Sequence, residues 1–161
     1  MADWSNFFLG ELGAAAAFAG LLFVAVSVNQ ARILALGRMA DRGLEALGQL
    51  MLVIVVASLP LIPGQPSRLL GTEVLVAGLI TLAGLVPLQR GYLRHVQPEY
   101  QRSAKLMIAV NRLTVLLIAV AGGVSLWRGD LGGLYIMPLG ILLTFFAVGM
   151  NAWVLLIEIN R

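Results

Sequence analysis

The sequence consists of five long apolar segments separated by short polar ones. Within the segments the apolar residues follow one another without alternation, as in 51–56 (MLVIVV). In the strands of a membrane barrel, apolar and polar residues would alternate. A helix instead crosses a bilayer with about 20 apolar residues, each of which rises about 1.5 Å. The pattern therefore predicts an all-α fold, a polytopic transmembrane helical bundle formed by residues 1–161 as a single domain. The predicted spans, numbered one to five, are Phe7–Val28, Leu44–Ile62, Leu69–Leu88, Leu106–Trp127 and Leu134–Ile157.

Composition supports a membrane protein. Hydrophobic residues make up 60% of the chain and charged residues 12%. Soluble domains contain roughly 45–50% apolar residues and about 25% charged residues. This balance excludes a soluble globular domain, a disordered chain and a nucleic-acid-binding module. With no cysteine and one histidine, His95, the chain has no thiolate or multi-histidine metal site. Motifs for phosphate, dinucleotide or nucleophile chemistry are absent, so we expect no cofactor and no enzymatic activity.

Basic residues are distributed unevenly among the segments that join the spans. The first and third loops and the C-terminal tail contain eight Lys and Arg residues, and the remaining tail and loops contain two. Cytoplasmic loops of membrane proteins are enriched in Lys and Arg. The count predicts that the N-terminus is outside and that the C-terminus is cytoplasmic.

Two carboxylates enter the predicted outer leaflet. Glu11 and Glu73 each lie about four residues, or roughly 6 Å, into their spans from the outer side. One interpretation is a carboxylate pair, or in an oligomer a carboxylate ring, that attracts cations. The other is that both side chains extend to the lipid headgroups, with Glu73 also stabilised by the positive end of its helix.

A polar layer is predicted on the inner side. Its members lie at similar depths on spans two, four and five: Gln49, Asn111, Arg112 and Asn151. Arg112 is the deepest charge, about six residues or roughly 9 Å into its span. One interpretation is a hydrogen-bonded cluster in which Arg112 pairs with Glu45 or Glu158. The alternative is a water-filled vestibule in which Arg112 contacts an anion or a lipid headgroup.

Small residues recur along several span faces. They are Gly10, Gly13, Ala14, Ala17 and Gly20 on span one, Gly71, Gly78 and Gly84 on span three, and Gly140, Thr144 and Ala147 on span five. Such residues let helix backbones approach closely, within one chain or between chains. The expected partners are therefore the lipid bilayer together with copies of the chain or another membrane protein.

Two stretches carry a family resemblance. They are 20–29 (GLLFVAVSVN), followed by 32–34 (RIL), and 59–65 (LPLIPGQ). They resemble a family of short, uncharacterised bacterial multi-span inner-membrane proteins, some of whose members are labelled modulators of a membrane-bound protease. The resemblance covers mainly residues 20–75, and its motifs are structural. It implies a multi-pass protein of the bacterial inner membrane with an accessory role.

Two hypotheses about function follow. The first is a small non-enzymatic membrane protein that acts by helix–helix contacts as an accessory or regulatory subunit. The alternative is a homo-oligomeric ion channel or small-solute transporter that uses Glu11, Glu73 and the inner polar layer around Arg112.

The predicted orientation is tested with reporter fusions. A reporter that is active only in the cytoplasm should be active when it is fused within residues 89–105 and inactive when it is fused at Gln65 in the second loop. A reporter that is active only outside should give the opposite pattern. External placement of residues 37–43 or 89–105 would contradict the prediction.

Overall fold

The computed structural model describes residues 2–35, 38–130 and 132–156, and these ranges contain helices and turns but no strand. Five of the helices are long and apolar enough to cross a membrane. The α-helices are α1 (Ala2–Val28), α2 (Gln30–Ala35), α3 (Met39–Ser58), α4 (Ser67–Leu93), α5 (Gln101–Arg128) and α6 (Met137–Leu156). Three short 3-10 turns are Leu59–Leu61, Pro98–Tyr100 and Gly132–Tyr135.

The five long helices confirm the predicted helical membrane protein. In order, α1, α3, α4, α5 and α6 correspond to the five predicted spans. Four of them extend about five residues further than predicted, since α1 begins at Ala2, α3 at Met39 and α5 at Gln101, and α4 continues to Leu93. The reason is that a charged residue ends an apolar segment without ending the helix, because long basic side chains extend to the interface. The predicted end of span five, Ile157, lies outside the described residues.

Helices α4 and α5 pack through glycines. A Cβ at Gly71 would lie 2.6 Å from the backbone nitrogen of Leu126, and one at Gly78 would lie 2.8 Å from the Cβ of Ala119. On α5, a Cβ at Gly122 would likewise lie 2.5 Å from a backbone nitrogen of α4. Backbones can approach this closely only where the side chain is missing. The predicted small-residue face of span three is thus used inside the chain.

Helix α3 lies at the centre and packs against α1, α4 and α6. Half of its most apolar window is buried, compared with 17% of the corresponding window in α1. Each long helix contributes to the main apolar core, for example through Phe8, Val53, Val74, Ile118 and Ile141. The core therefore holds all five long helices together and leaves much of α1 facing outward.

The two ends of the bundle differ in charge. At one end, called the basic end from here on, α1 and α4 finish and α3 and α5 begin, and the nearby basic residues include Arg32, Arg38, Arg90, Arg94 and Arg102. At the other end the Trp4 ring packs edge to face on Tyr135, with centroids 5.1 Å apart. The separation of charge that the loop count describes is thus a property of the fold.

Substitution of Gly71 tests the α4–α5 contact. We expect Gly71→Ala to lower the free energy of unfolding by about 1–3 kcal/mol, because the added methyl group meets backbone atoms that cannot move aside. Gly84→Ala on the same helix is the matched control, since a Cβ there meets nothing within 4 Å. Thermal unfolding in detergent, followed by circular dichroism, measures both. Equal melting temperatures for the two variants would contradict the packing described here.

Candidate functional site

Polar side chains of α3, α4 and α5 meet inside the bundle near the basic end. The Oε1 atom of Glu45, a residue that is 5% exposed, accepts hydrogen bonds from Gln89 Nε2 at 2.6 Å and from Asn111 Nδ2 at 2.8 Å. Glu45 lies six residues, or roughly 9 Å, along α3 from Met39. The two N–H donors replace the water that this carboxylate would otherwise need.

Gln89 connects this carboxylate to a cation. While its Nε2 donates to Glu45, its Oε1 accepts a hydrogen bond from Arg112 Nε at 2.6 Å. An amide side chain contains both a donor and an acceptor, so one glutamine joins the anion of α3 to the cation of α5. The predicted pairing of Arg112 with Glu45 is therefore indirect, and within the described ranges these two residues form no ion pair. The alternative partner, Glu158, lies outside those ranges.

Gln49 extends the cluster one turn further from the basic end. Its Nε2 donates to the backbone oxygen of Asn111 at 3.1 Å and is 3.4 Å from Thr114 Oγ1. Gln49 is fully buried and Asn111 is 1% exposed. The structure thus brings together Gln49, Asn111, Arg112 and Glu45 in one hydrogen-bonded group between three helices.

Arg42 forms a second group beside the first. It is 8% exposed, its Nη1 donates to Tyr92 Oη at 3.0 Å, and its Nη2 donates to Asn151 Oδ1 at 2.6 Å. The Met107 sulfur is a further acceptor of Nη2, and the Tyr92 ring centroid lies 5.2 Å from the guanidinium carbon. All of these partners are neutral, and no ion pair of Arg42 occurs in the part of the chain that the structure describes.

Three amide atoms of the two groups are buried without a hydrogen-bond partner: Gln49 Oε1, Asn111 Oδ1 and Asn151 Nδ2. Each such atom costs about 1–3 kcal/mol when nothing replaces water. The first group therefore supplies two donors to Glu45 Oε1 but leaves the side-chain oxygens of Gln49 and Asn111 without a donor.

A cavity of about 610 Å³ lies next to Arg42, between α5 and α6. Its polar lining consists of Arg42, Tyr92, Tyr100, Ser103 and Asn111. Its apolar lining includes four side chains that are 37–69% exposed, namely Leu106, Val110, Phe146 and Met150. The cavity therefore has a cationic, hydroxyl-rich side and an apolar side that faces outward from the bundle.

The two outer carboxylates lie on helices with different main neighbours. α1 packs mainly on α3 and α4 mainly on α5, and no hydrogen bond joins Glu11 to Glu73 among the described residues. Glu73 instead accepts a hydrogen bond from Gln65 Nε2. Glu11 falls on the bundle-facing side of α1, in line with Ala15 and Leu22. The carboxylate pair and the carboxylate ring in an oligomer both stay predictions.

Sequence reasoning missed Arg42, Gln89 and Tyr92. Arg42 was assigned to a loop because the predicted span began at Leu44, although α3 begins at Met39. The spacing of Arg42, Glu45 and Gln49, at intervals of three and four residues, places them on one helix face. That spacing was the signal that could have found Arg42.

The arrangement can hold charges and bind ions, and it contains no nucleophile–base pair. Throughout the described ranges, no group of three or more His, Asp or Glu side chains could hold a metal ion. No family model, no curated protein and no solved structure gives a significant match to this chain. The functional argument therefore rests on the geometry of these residues.

Replacing the bridging glutamine tests the cluster. We expect Gln89→Leu to lower the free energy of unfolding by about 1–3 kcal/mol, because Glu45 and Arg112 each lose a buried partner while side-chain volume is kept. Gln97→Leu is the control, since Gln97 is an exposed loop residue. Denaturant titration in detergent micelles measures both variants. Unchanged stability of Gln89→Leu would show that the bridge contributes nothing.

Proposed function

We propose that this chain is a non-enzymatic integral membrane protein that acts through helix–helix contacts, as an accessory or regulatory subunit of another membrane protein. The observation that carries the proposal is a face of α1 made of small residues that residues 2–35, 38–130 and 132–156 leave uncovered. The proposal places the basic end in the cytoplasm and the N-terminus outside, in a bacterial inner membrane.

The uncovered face, called the α1 seam, follows helical spacing. It consists of Gly10, Gly13, Ala14, Ala17 and Gly20, all exposed. Intervals of three and four residues place the seam on one side of α1. The buried residues Phe8, Ala15 and Leu22 lie on the opposite side, against the bundle. The seam therefore points away from the core.

The seam differs from the other glycine contacts of this chain. A Cβ at Gly10, Gly13 or Gly20 would meet nothing within 4 Å, whereas the glycines between α4 and α5 are enclosed by backbone. Glycine in a helix costs roughly 0.5–1 kcal/mol relative to alanine, so an unused row of small residues has no benefit inside the chain. In a bilayer, small-residue faces allow a second helix to approach closely. The seam thus supports contact with a helix of another chain.

The inner cluster supports this function over a channel or transporter. Its amides are buried between α3, α4 and α5, and they hydrogen-bond to Glu45, to Arg112 and to the backbone oxygen of Asn111. Polar residues that form such interhelical bonds hold a bundle together. An ion path would instead need these groups to line an open, hydrated passage.

Photocross-linking in cells tests the proposal. A photoreactive amino acid at Ala17 should give an adduct with a distinct membrane protein, because Ala17 lies in the middle of the α1 seam. The same group at Val120, an exposed residue of α5, should give little adduct. Mass spectrometry of the purified adduct identifies the partner. An adduct of twice the 17.2 kDa chain mass, containing only this protein, would contradict an accessory role.

A larger side chain in the α1 seam should weaken the contact with the partner and leave the fold unchanged. We expect Gly13→Leu to reduce the adduct about tenfold, the effect of losing about 1.4 kcal/mol of helix contact. Gly84→Leu is the control, since Gly84 is equally open but lies on α4. Both variants should keep the wild-type melting temperature. An adduct yield unchanged by Gly13→Leu would remove the seam from the interface.

A further inference from the structure

Arg42 is a buried cation whose partners do not neutralise it. Buried charges in proteins are normally paired, because leaving water costs several kcal/mol per ion. In the buried groups near the basic end, Arg42 and Arg112 contribute two positive charges and Glu45 one negative charge. Glu45 is joined through Gln89 to Arg112, so the excess positive charge lies at Arg42.

This excess charge faces the cavity. Arg42 and Asn111 both line it, and Asn111 Oδ1 is a buried acceptor without a partner. The hydroxyl groups of Tyr100 and Ser103 lie on the same lining. Guanidinium groups bind phosphate and carboxylate through charge-assisted hydrogen bonds. The polar side therefore fits an anionic group.

The apolar side fits a hydrocarbon chain. Along α5 the lining runs from Ser103 to Asn111, eight residues or roughly 12 Å, within a hydrocarbon core about 30 Å thick. Leu106 and Phe146 line the cavity and are 68% and 69% exposed, on the outward faces of α5 and α6. A molecule can therefore enter sideways from the bilayer. The volume of about 610 Å³ lies in the usual range of ligand pockets.

We propose that this cavity binds one anionic amphiphile of the bilayer. The phosphate or carboxylate lies on the Arg42 guanidinium, and an acyl chain lies between α5 and α6 against Val110 and Phe146. Both an anionic phospholipid and a fatty acid have this charge and this chain. The site is separate from the α1 seam, which contributes no residue to the cavity lining.

Native mass spectrometry of the full chain tests the site. The protein is released from nanodiscs that contain equal amounts of phosphatidylglycerol and phosphatidylcholine with the same acyl chains, and in a second arm from phosphatidylcholine nanodiscs with added oleic acid. We expect one anionic amphiphile per chain, retained about tenfold more than phosphatidylcholine, the effect of one charge-assisted hydrogen bond. The retained mass distinguishes phospholipid from fatty acid, and either supports the proposal. Equal retention of phosphatidylcholine, or no retained anion in both arms, overturns it.

Two pairs of variants locate the binding. Arg42→Gln should lose the preference, and Arg90→Gln, which removes an exposed arginine at the same end, should keep it. Val110→Trp should fill the apolar side and lower retention about tenfold, while Val120→Trp, further along α5, should not. Val110→Trp and its control Val120→Trp leave the contacts of Arg42 in place. They therefore test the proposal even if Arg42→Gln fails to fold. Wild-type retention by Val110→Trp would place the amphiphile elsewhere and overturn the proposal.

Discussion

The basic end of this bundle depends on two hydrogen bonds made by one neutral side chain, Gln89. Hydrocarbon offers no water, so a carboxylate on α3 and a guanidinium on α5 must find partners inside the protein. Gln89 supplies a donor to Glu45 and an acceptor to Arg112 at 2.6 Å each. Because its partners come from different helices, sliding any of the three by one turn, about 5.4 Å, would break the set. The cluster therefore fixes the relative positions of α3, α4 and α5, which the apolar core alone specifies less strictly.

Small residues occur in two different settings in this bundle, between helices α4 and α5 and on the outer face of α1. Between α4 and α5, Gly71, Gly78 and Gly122 are enclosed, and a methyl group at any of them would meet atoms at 2.5–2.8 Å. On α1 the same residue types meet nothing within 4 Å. Since apolar side chains gain nothing by leaving lipid, close packing is the main source of helix association in a bilayer. A helix that gives up side-chain bulk must recover the loss through contact, and α4 and α5 do so within the chain. The same reasoning directs α1 to a second chain.

Much of the fold was predictable because long apolar runs admit one solution in lipid, and all five predicted spans are helices. Part of the polar cluster was also predictable, since a costly residue such as Arg112 or Gln49 has to face the protein interior. The hydrogen bonds that connect these residues were not predictable from the sequence. Hydropathy begins the second span at Leu44, which places Arg42 in the first loop, although α3 begins three residues before Arg42. Gln89 carries no charge, so the pattern of charges along the sequence does not single it out. Glu11 and Glu73 share a depth, but depth does not say which helices are neighbours.

Two arginines inside the bundle near the basic end, Arg42 and Arg112, differ in their partners. A role in holding the helices together explains Arg112 but not Arg42. Arg112, which is partly buried, is joined through Gln89 to Glu45, the buried carboxylate among the described residues. Arg42 is more deeply buried and has a phenol, an amide and a thioether as partners. An interior that needed only rigidity would gain more from an apolar residue at that position, because a cation with neutral partners costs more than it stabilises. Part of this cost lies beside the cavity, which both Arg42 and Asn111 line. A buried cation that has only neutral partners and lines an open cavity is the form expected of a binding site for an anion.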